Sequence, residues 1–244
     1  MALGPNPRFG ARARPMTGHQ AYDASIDMGL RKYMLGVYNY MTAGVAITGL
    51  VAYLVSTSPA MMQAIFGTGL VWVVMLAPLA FILVMNFGLN KMSASTLQLV
   101  FWAFAATMGL SLATIFITYT DTSIARVFFI TAGAFAGLSL YGYTTKRDLT
   151  GFGSFLIMGL IGIILASIVN IFMASTGLQF VISVLGVLIF AGLTAYDTQR
   201  IKSMYYEGDS SEVATKKSVM GAVSLYLDFV NMFMLLLHFF GNRE

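Results

Sequence analysis

Cysteine is absent from the 244-residue chain, which excludes disulfides, thiolate-held metals, haem thiolates and cysteine-ligated iron–sulfur clusters. Histidine occurs only twice, at His19 and His238, too few and too far apart for a histidine metal site. Charge is scarce too: Asp, Glu, Lys and Arg make up 10% of the residues, against roughly 25% in soluble domains. A chain so poor in charge and 58% apolar is a membrane protein, and at this length a polytopic bundle forms one domain.

Residues 1–32 carry Arg8, Arg12, Arg14, Arg31 and Lys32 without a continuous apolar stretch. This segment reads as a flexible, basic polar tail rather than a cleavable signal peptide, and the first spanning helix is expected to act as the insertion signal. The tail suits contact with anionic lipid, at about 1 kcal/mol per basic residue near the surface, and gives no argument for nucleic acid. Seven later stretches supply the about 20 apolar residues that a spanning helix needs. They lie at approximately 33–55, 69–89, 96–119, 124–144, 154–174, 178–197 and 218–240, within a transmembrane domain of residues 33–244. Pro78 falls inside the second, where it frees a carbonyl that a neighbouring helix or water must satisfy.

Twelve of the fourteen basic residues fall on one side if the N-terminus is cytoplasmic, with only Arg126 and Arg243 opposite. The positive-inside rule therefore predicts N-in and, with seven spans, C-out. Small residues recur in GLSLA (109–113), GLSLYGY (137–143), GLIG (159–162) and AGLTA (191–195), a pattern of close helix packing.

Chemistry has to come from a short list of polar positions inside the spans. Asp228 lies in an apolar run, 218–241, whose other ionisable residue is His238. An acid costs at least a few kcal/mol in the bilayer, which makes it a functional-site candidate. Ser224, Asp228 and Asn231 fall at i, i+4 and i+7 and share a face; Ser167 and Asn170 on the fifth helix do the same. Gln98, Thr107, Ser111 and Thr114 add hydroxyls and an amide on the third. The expectation is a central polar cluster around Asp228, with residues 235–237 as an apolar plug above it.

Asp197, in LTAYDTQRIK, ends the sixth stretch, where the plainer reading is a surface acid paired with Arg200 or Lys202, and the loop that follows returns the chain to the same membrane face. Asp197 and Asp228 can then meet between antiparallel neighbours. Two carboxyls in contact cannot readily both ionise, so they share a proton and titrate as a pair. Such a pair is a latch, closed while hydrogen-bonded and released when both acids lose the proton.

The run GLSLYGYTTKRDLTGFGSFLIMGLIGIILASIVNIF, then AYDTQRIK, then SLYLDFVNMFMLLLHFFG resembles the Bax inhibitor family of transmembrane Bax-inhibitor-motif proteins, in a bacterial form. The resemblance implies an all-α seven-helix bundle with six helices around a central C-terminal seventh, and a pH-sensitive calcium leak in which an aspartate pair links the last two helices. The YDTQ acid is Asp197 and the LYLDF acid is Asp228. The family's basic residue near the connection of the second and third helices has Lys91 as its candidate here, although lysine lacks the bidentate carboxylate fork of arginine. The loop between Arg200 and Lys217 is long for the bacterial pattern.

Calcium is expected only as a permeating ion bound weakly and transiently at Asp197 and Asp228, since a holding site takes six to eight oxygens. No cofactor is expected. Glu207, Asp209 and Glu212 offer an acidic loop near the mouth, balanced by Lys216 and Lys217. An enzyme reading, an intramembrane aspartyl protease, fits poorly: the second acid lacks a Gly-x-Gly-Asp setting and no Pro-Ala-Leu follows. A retinal protein would need a lysine in the last helix, and 218–242 has none. The alternative of a different class is a non-transporting modulator of stress response or membrane-protein quality control, acting through membrane-protein partners. The expected location is the bacterial inner membrane.

Overall fold

The fold is taken from a computed structural model, which describes residues 18–243, with side chains from Asp27 onward. The tail charges Arg8, Arg12 and Arg14 and the side chain of His19 lie outside the described residues. Among the described residues nine helices run in order: α1 (Gly18–Ser56), α2 (Pro59–Phe66), α3 (Leu70–Gly88), α4 (Ala94–Leu112), α5 (Ile115–Thr118), α6 (Asp121–Thr144), α7 (Thr150–Met173), α8 (Thr176–Ser203) and α9 (Ser211–Phe240). Seven stretches of the described residues are long and apolar enough to cross a membrane, with α4 and α5 together forming the third.

Burial separates these spans. The apolar window of α9 is 61% buried inside the protein, that of α8 39% and that of α7 only 6%. Helix α9 is therefore the central helix, packed directly by α1, α4, α6 and α8. Helix α3 packs chiefly on α4, and α7 chiefly on α8, so these two complete the ring from outside. At 30 residues, α9 is roughly 45 Å long and crosses the whole bundle. The backbone of Asn242 beyond it accepts from Thr120 N (3.1 Å) and donates to Ser123 Oγ (3.0 Å), which places its end at the connector between α5 and α6.

Several helices extend beyond the apolar runs. Helix α1 is already helical from Gly18, so the boundary expected at residue 32 falls within a continuous helix. Helix α8 continues past Asp197 to Ser203, and α9 starts at Ser211 behind an N-cap at Ser210, whose hydroxyl accepts from Val213 N. The connector expected to be long is thus only 204–210. A Glu212–Lys216 pair at i, i+4 (3.2 Å) supports the added turns, and Lys217 reaches Asp209 at 2.6 Å. Two of the three acids expected at a cation mouth are accordingly lysine-paired.

Close helix approach is concentrated at particular glycines. A Cβ at Gly142 of α6 would collide with the Ala195 carbonyl of α8, and one at Gly109 of α4 would lie 2.7 Å from the Thr48 carbonyl of α1. Gly137 and Gly162, in the same kind of small-residue run, have nothing within 4 Å. Only part of the small-residue pattern is packing.

Pro78, buried within α3, cannot donate to the carbonyl of Val74. Ser111 of α4 donates its hydroxyl to that carbonyl at 2.7 Å. Replacing Ser111 by Ala strands the carbonyl in an apolar setting and is expected to cost about 1–3 kcal/mol, read as a lower midpoint in detergent unfolding. At the connector between α6 and α7, Asp148 accepts from both the Thr150 amide (2.9 Å) and hydroxyl (2.6 Å), and these bonds hold its carboxyl below the usual 3.8. A depressed carboxyl stabilises the fold above its unfolded pKa and loses that contribution as pH falls through its folded one. Asp148→Ala is therefore expected to lower the thermal midpoint at pH 7 but leave it unchanged once the parent carboxyl is protonated, as a pH series of melts would show.

Candidate functional site

The last turns of α8 carry YDTQRIK, and successive residues on a helix point about 100° apart, so this short segment addresses several neighbours. Thr198 faces α6: its hydroxyl lies 2.9 Å from Ser139 Oγ, which lies 2.6 Å from Tyr38 Oη of α1. Gln199 grips the connector between α6 and α7, accepting from Leu149 N at 2.8 Å and donating to Arg147 O at 2.7 Å. Lys202 donates to the Tyr143 carbonyl at the end of α6 (2.8 Å). That leaves Asp197 and Arg200, one turn apart, pointing toward α7 and α9.

On α9 the LYLDF run divides similarly. Tyr226 is fully buried, with its hydroxyl 2.6 Å from Thr48 Oγ1 of α1, which in turn lies 2.8 Å from the Ala105 carbonyl of α4. Phe229 packs edge-on against Phe128 and Phe135 of α6. Asp228 turns the other way, into a cavity of about 550 Å³ between α7, α8 and α9. Its polar lining is Ser167, Asp197, Arg200, Ser224, Asp228 and Asn231.

The charges in this cavity are unequally served. Asp197 Oδ1 pairs with Arg200 at 3.4 Å, and the same guanidinium donates to Ser224 Oγ at 3.3 Å. Asp228 is 4% exposed, lies within electrostatic reach of Asp197 and Arg200, and its Oδ2 has no hydrogen-bond partner among the described residues. Arg200 Nε is likewise buried and unbonded. Two carboxyls thus face one guanidinium: the cluster is neutral while it holds one extra proton and carries one negative charge without it.

The structure gathers Asp197, Asp228, Ser224, Asn231 and Ser167 around one space. It does not gather the rest. Asn170 sits at the other end of α7, accepting from Ser175 N (3.0 Å) and donating to Gln179 (3.1 Å), and so organises the turn in which Ala174 adopts a positive φ of 49°. Lys91 is exposed in the connector between α3 and α4, and the base beside the acids is Arg200. The polar residues expected from the third span go elsewhere as well: Gln98 donates to Tyr40 Oη (2.6 Å), Ser111 serves Val74, Thr107 bonds its own helix, and Thr114 is outside the cavity lining. Arg200 was visible in the sequence three residues after Asp197, the spacing at which helical side chains meet.

Above Asn231 the lining becomes apolar, with Met234 and Leu235 at its end and Leu235 seated against Gly186 of α8. The donor set for a cation is two carboxyls, an amide and hydroxyls, one carboxyl already engaged by Arg200. That falls short of the six to eight oxygens of a calcium-holding site. Among the described residues no group of three or more His, Cys, Asp or Glu is placed to hold a metal ion.

Comparison with known proteins identifies relatives of the whole bundle. A family model described as "Inhibitor of apoptosis-promoting Bax1" matches residues 30–244. The chain is 46% identical over 220 residues to inner membrane protein YbhL of Escherichia coli strain K12, covering 88% of this chain and 94% of that one. It is 50% identical over 234 residues to an uncharacterized protein of Caulobacter vibrioides, at 91% and 93% coverage. An uncharacterized protein of Rickettsia prowazekii matches at 48% over 220 residues, at 90% and 93%.

The Arg200–Asp197 pair joins a side chain 40% exposed to one 13% exposed, so its worth lies between that of surface and buried pairs. Arg200→Gln is expected to destabilise by roughly 2 kcal/mol at neutral pH, and adding Asp197→Asn is expected to recover most of it; chemical denaturation of the single and double variants checks both.

Proposed function

This chain belongs to the Bax inhibitor family, and from that premise we propose that it is a pH-sensitive cation leak of the bacterial inner membrane, with calcium as its first candidate ion and the Asp197–Asp228 pair as its gate. The observation that carries this reading is Asp228: an acid on the most enclosed helix, its buried Oδ2 unbonded among the described residues, in a cavity shared with a second acid and a single guanidinium. Burying an acid without full hydrogen bonding costs stability that a purely structural residue has no reason to incur. Intramembrane acids of this kind line ion and proton pathways.

Gating follows from the charge count. With one proton the cluster is neutral and holds α8 and α9 together through Asp197, Arg200 and Ser224. Loss or gain of a proton changes that charge by one unit in a place with little solvent to screen it, and the two helices must readjust. The incomplete oxygen set suits an ion that has to leave, since conduction requires weak binding. Met234 and Leu235 interrupt the polar lining and serve in this reading as the apolar barrier of the pathway.

Reconstituted in liposomes loaded with a calcium dye, the parent is expected to show influx that changes between about pH 6 and 8. Asp228→Asn keeps the shape and removes the titration, so its flux is expected to be independent of pH, while Leu235→Ala is expected to raise basal flux. Unchanged pH dependence in Asp228→Asn rules out the latch, and absence of flux at every pH rules out the leak.

A further inference from the structure

A second feature lies on the opposite flank of α9. Helices α1 and α6 are not packed along their length; a groove separates them, with Phe229, Val230 and Phe233 of α9 as its floor. It consists of two cavities of about 600 and 390 Å³ that share Val45, Phe128 and Phe229 and so run end to end. On α1 its wall extends from Arg31 to Tyr53, roughly 33 Å along the helix, which matches the about 30 Å hydrocarbon thickness of a bilayer. Small residues such as Gly49, Ala125, Ala132 and Ala136 keep it open. Tyr38 and Ser139, hydrogen-bonded at 2.6 Å, bridge it near one end.

Its two ends differ in charge. Arg31 lines one end, exposed and paired with no carboxylate among the described residues, while Asp121 lines the other. An occupant with a negative group at the Arg31 end and an apolar body along the groove complements that cation and the apolar lining. The Tyr38–Ser139 hydrogen bond closes the gap between α1 and α6 near the Arg31 end, so a helix about 10 Å across cannot settle into the groove along its whole length. A flexible acyl chain, far thinner, fits beside that bridge.

We infer that the groove between α1 and α6 is a binding site for an anionic phospholipid, whose acyl chain lies along the α9 floor and whose phosphate is held by Arg31. This proposal is independent of ion flux, because it concerns the opposite side of α9 from the acids.

Native mass spectrometry of the full chain, purified in detergent and incubated separately with dioleoyl phosphatidylglycerol and dioleoyl phosphatidylcholine, tests it. The expected result is retention of one phosphatidylglycerol per chain with about fivefold preference over phosphatidylcholine. Arg31→Gln, at an exposed position that leaves the packing intact, brings the two lipids to parity. Ala132→Trp fills the groove and removes the retained lipid of either kind, with Ala136→Leu as the milder replacement should the Trp variant not fold. Equal retention of both lipids by the parent overturns the proposal, leaving only ordinary annular lipid. A dimer that disappears in the groove-filling variants overturns it too, in favour of a second copy at this face.

Discussion

An enclosed helix in a membrane has no solvent to satisfy its polar groups, so each one on α9 needs a partner within the protein. Tyr226 is met by Thr48, Ser224 by Arg200, and Asn231 by the Leu227 carbonyl one turn back at 2.8 Å. Those partners come from α1, from α8 and from α9 itself, and in meeting them the surrounding helices are fixed in rotation and depth. Asp228 stands out because its enclosed Oδ2 has no hydrogen-bond partner among the described residues. The ring of helices is thus arranged around a central element on which Asp228 is the buried acid with an oxygen left unbonded among the described residues.

Much of this was legible in residue spacing. Seven apolar runs gave the spans, the i, i+4, i+7 series placed Ser224, Asp228 and Asn231 on one face, and Pro78 required a donor that Ser111 supplies. Helix ends were harder, because hydropathy ends where charge begins while the backbone does not: α8 and α9 continue into charged turns held by local ion pairs. Side-chain partners were harder still. A helical Ser or Thr can bond its own preceding carbonyl, as Thr107 and Ser167 do, so a hydroxyl in a span carries little information about what lies opposite. Asn170 belongs to a turn that only the close return of α8 creates. Lys91 was the expected base for the pair, and it is the continuation of α8 past the apolar run that puts Arg200 there instead, within one turn of Asp197.

The two flanks of α9 have opposite character. Asp228 opens onto a polar cavity beside α7 and α8, while its sequence neighbour Phe229 forms the floor of an apolar groove between α1 and α6. The helix is packed firmly by four neighbours yet borders a void on each side, so the packing leaves room for displacement along one direction. The hydroxyl chain from Tyr38 through Ser139 to Thr198 ends on the residue next to Asp197, giving the two flanks a physical connection through α6 and α8.

The amide clamp of Gln199 bears on the order in which the chain is assembled. It grips a connector that was synthesised 50 residues earlier, as its bond to Leu149 shows. While α6 and α7 emerge from the ribosome, the turn between them has no Gln199 to bind, and α7, almost wholly lipid-facing, is apolar enough to enter the bilayer by itself. Its entry point is fastened only when α8 has been inserted. Membrane integration of α7 and its docking are therefore separate events in the life of the nascent chain, the second waiting on sequence not yet translated at the time of the first.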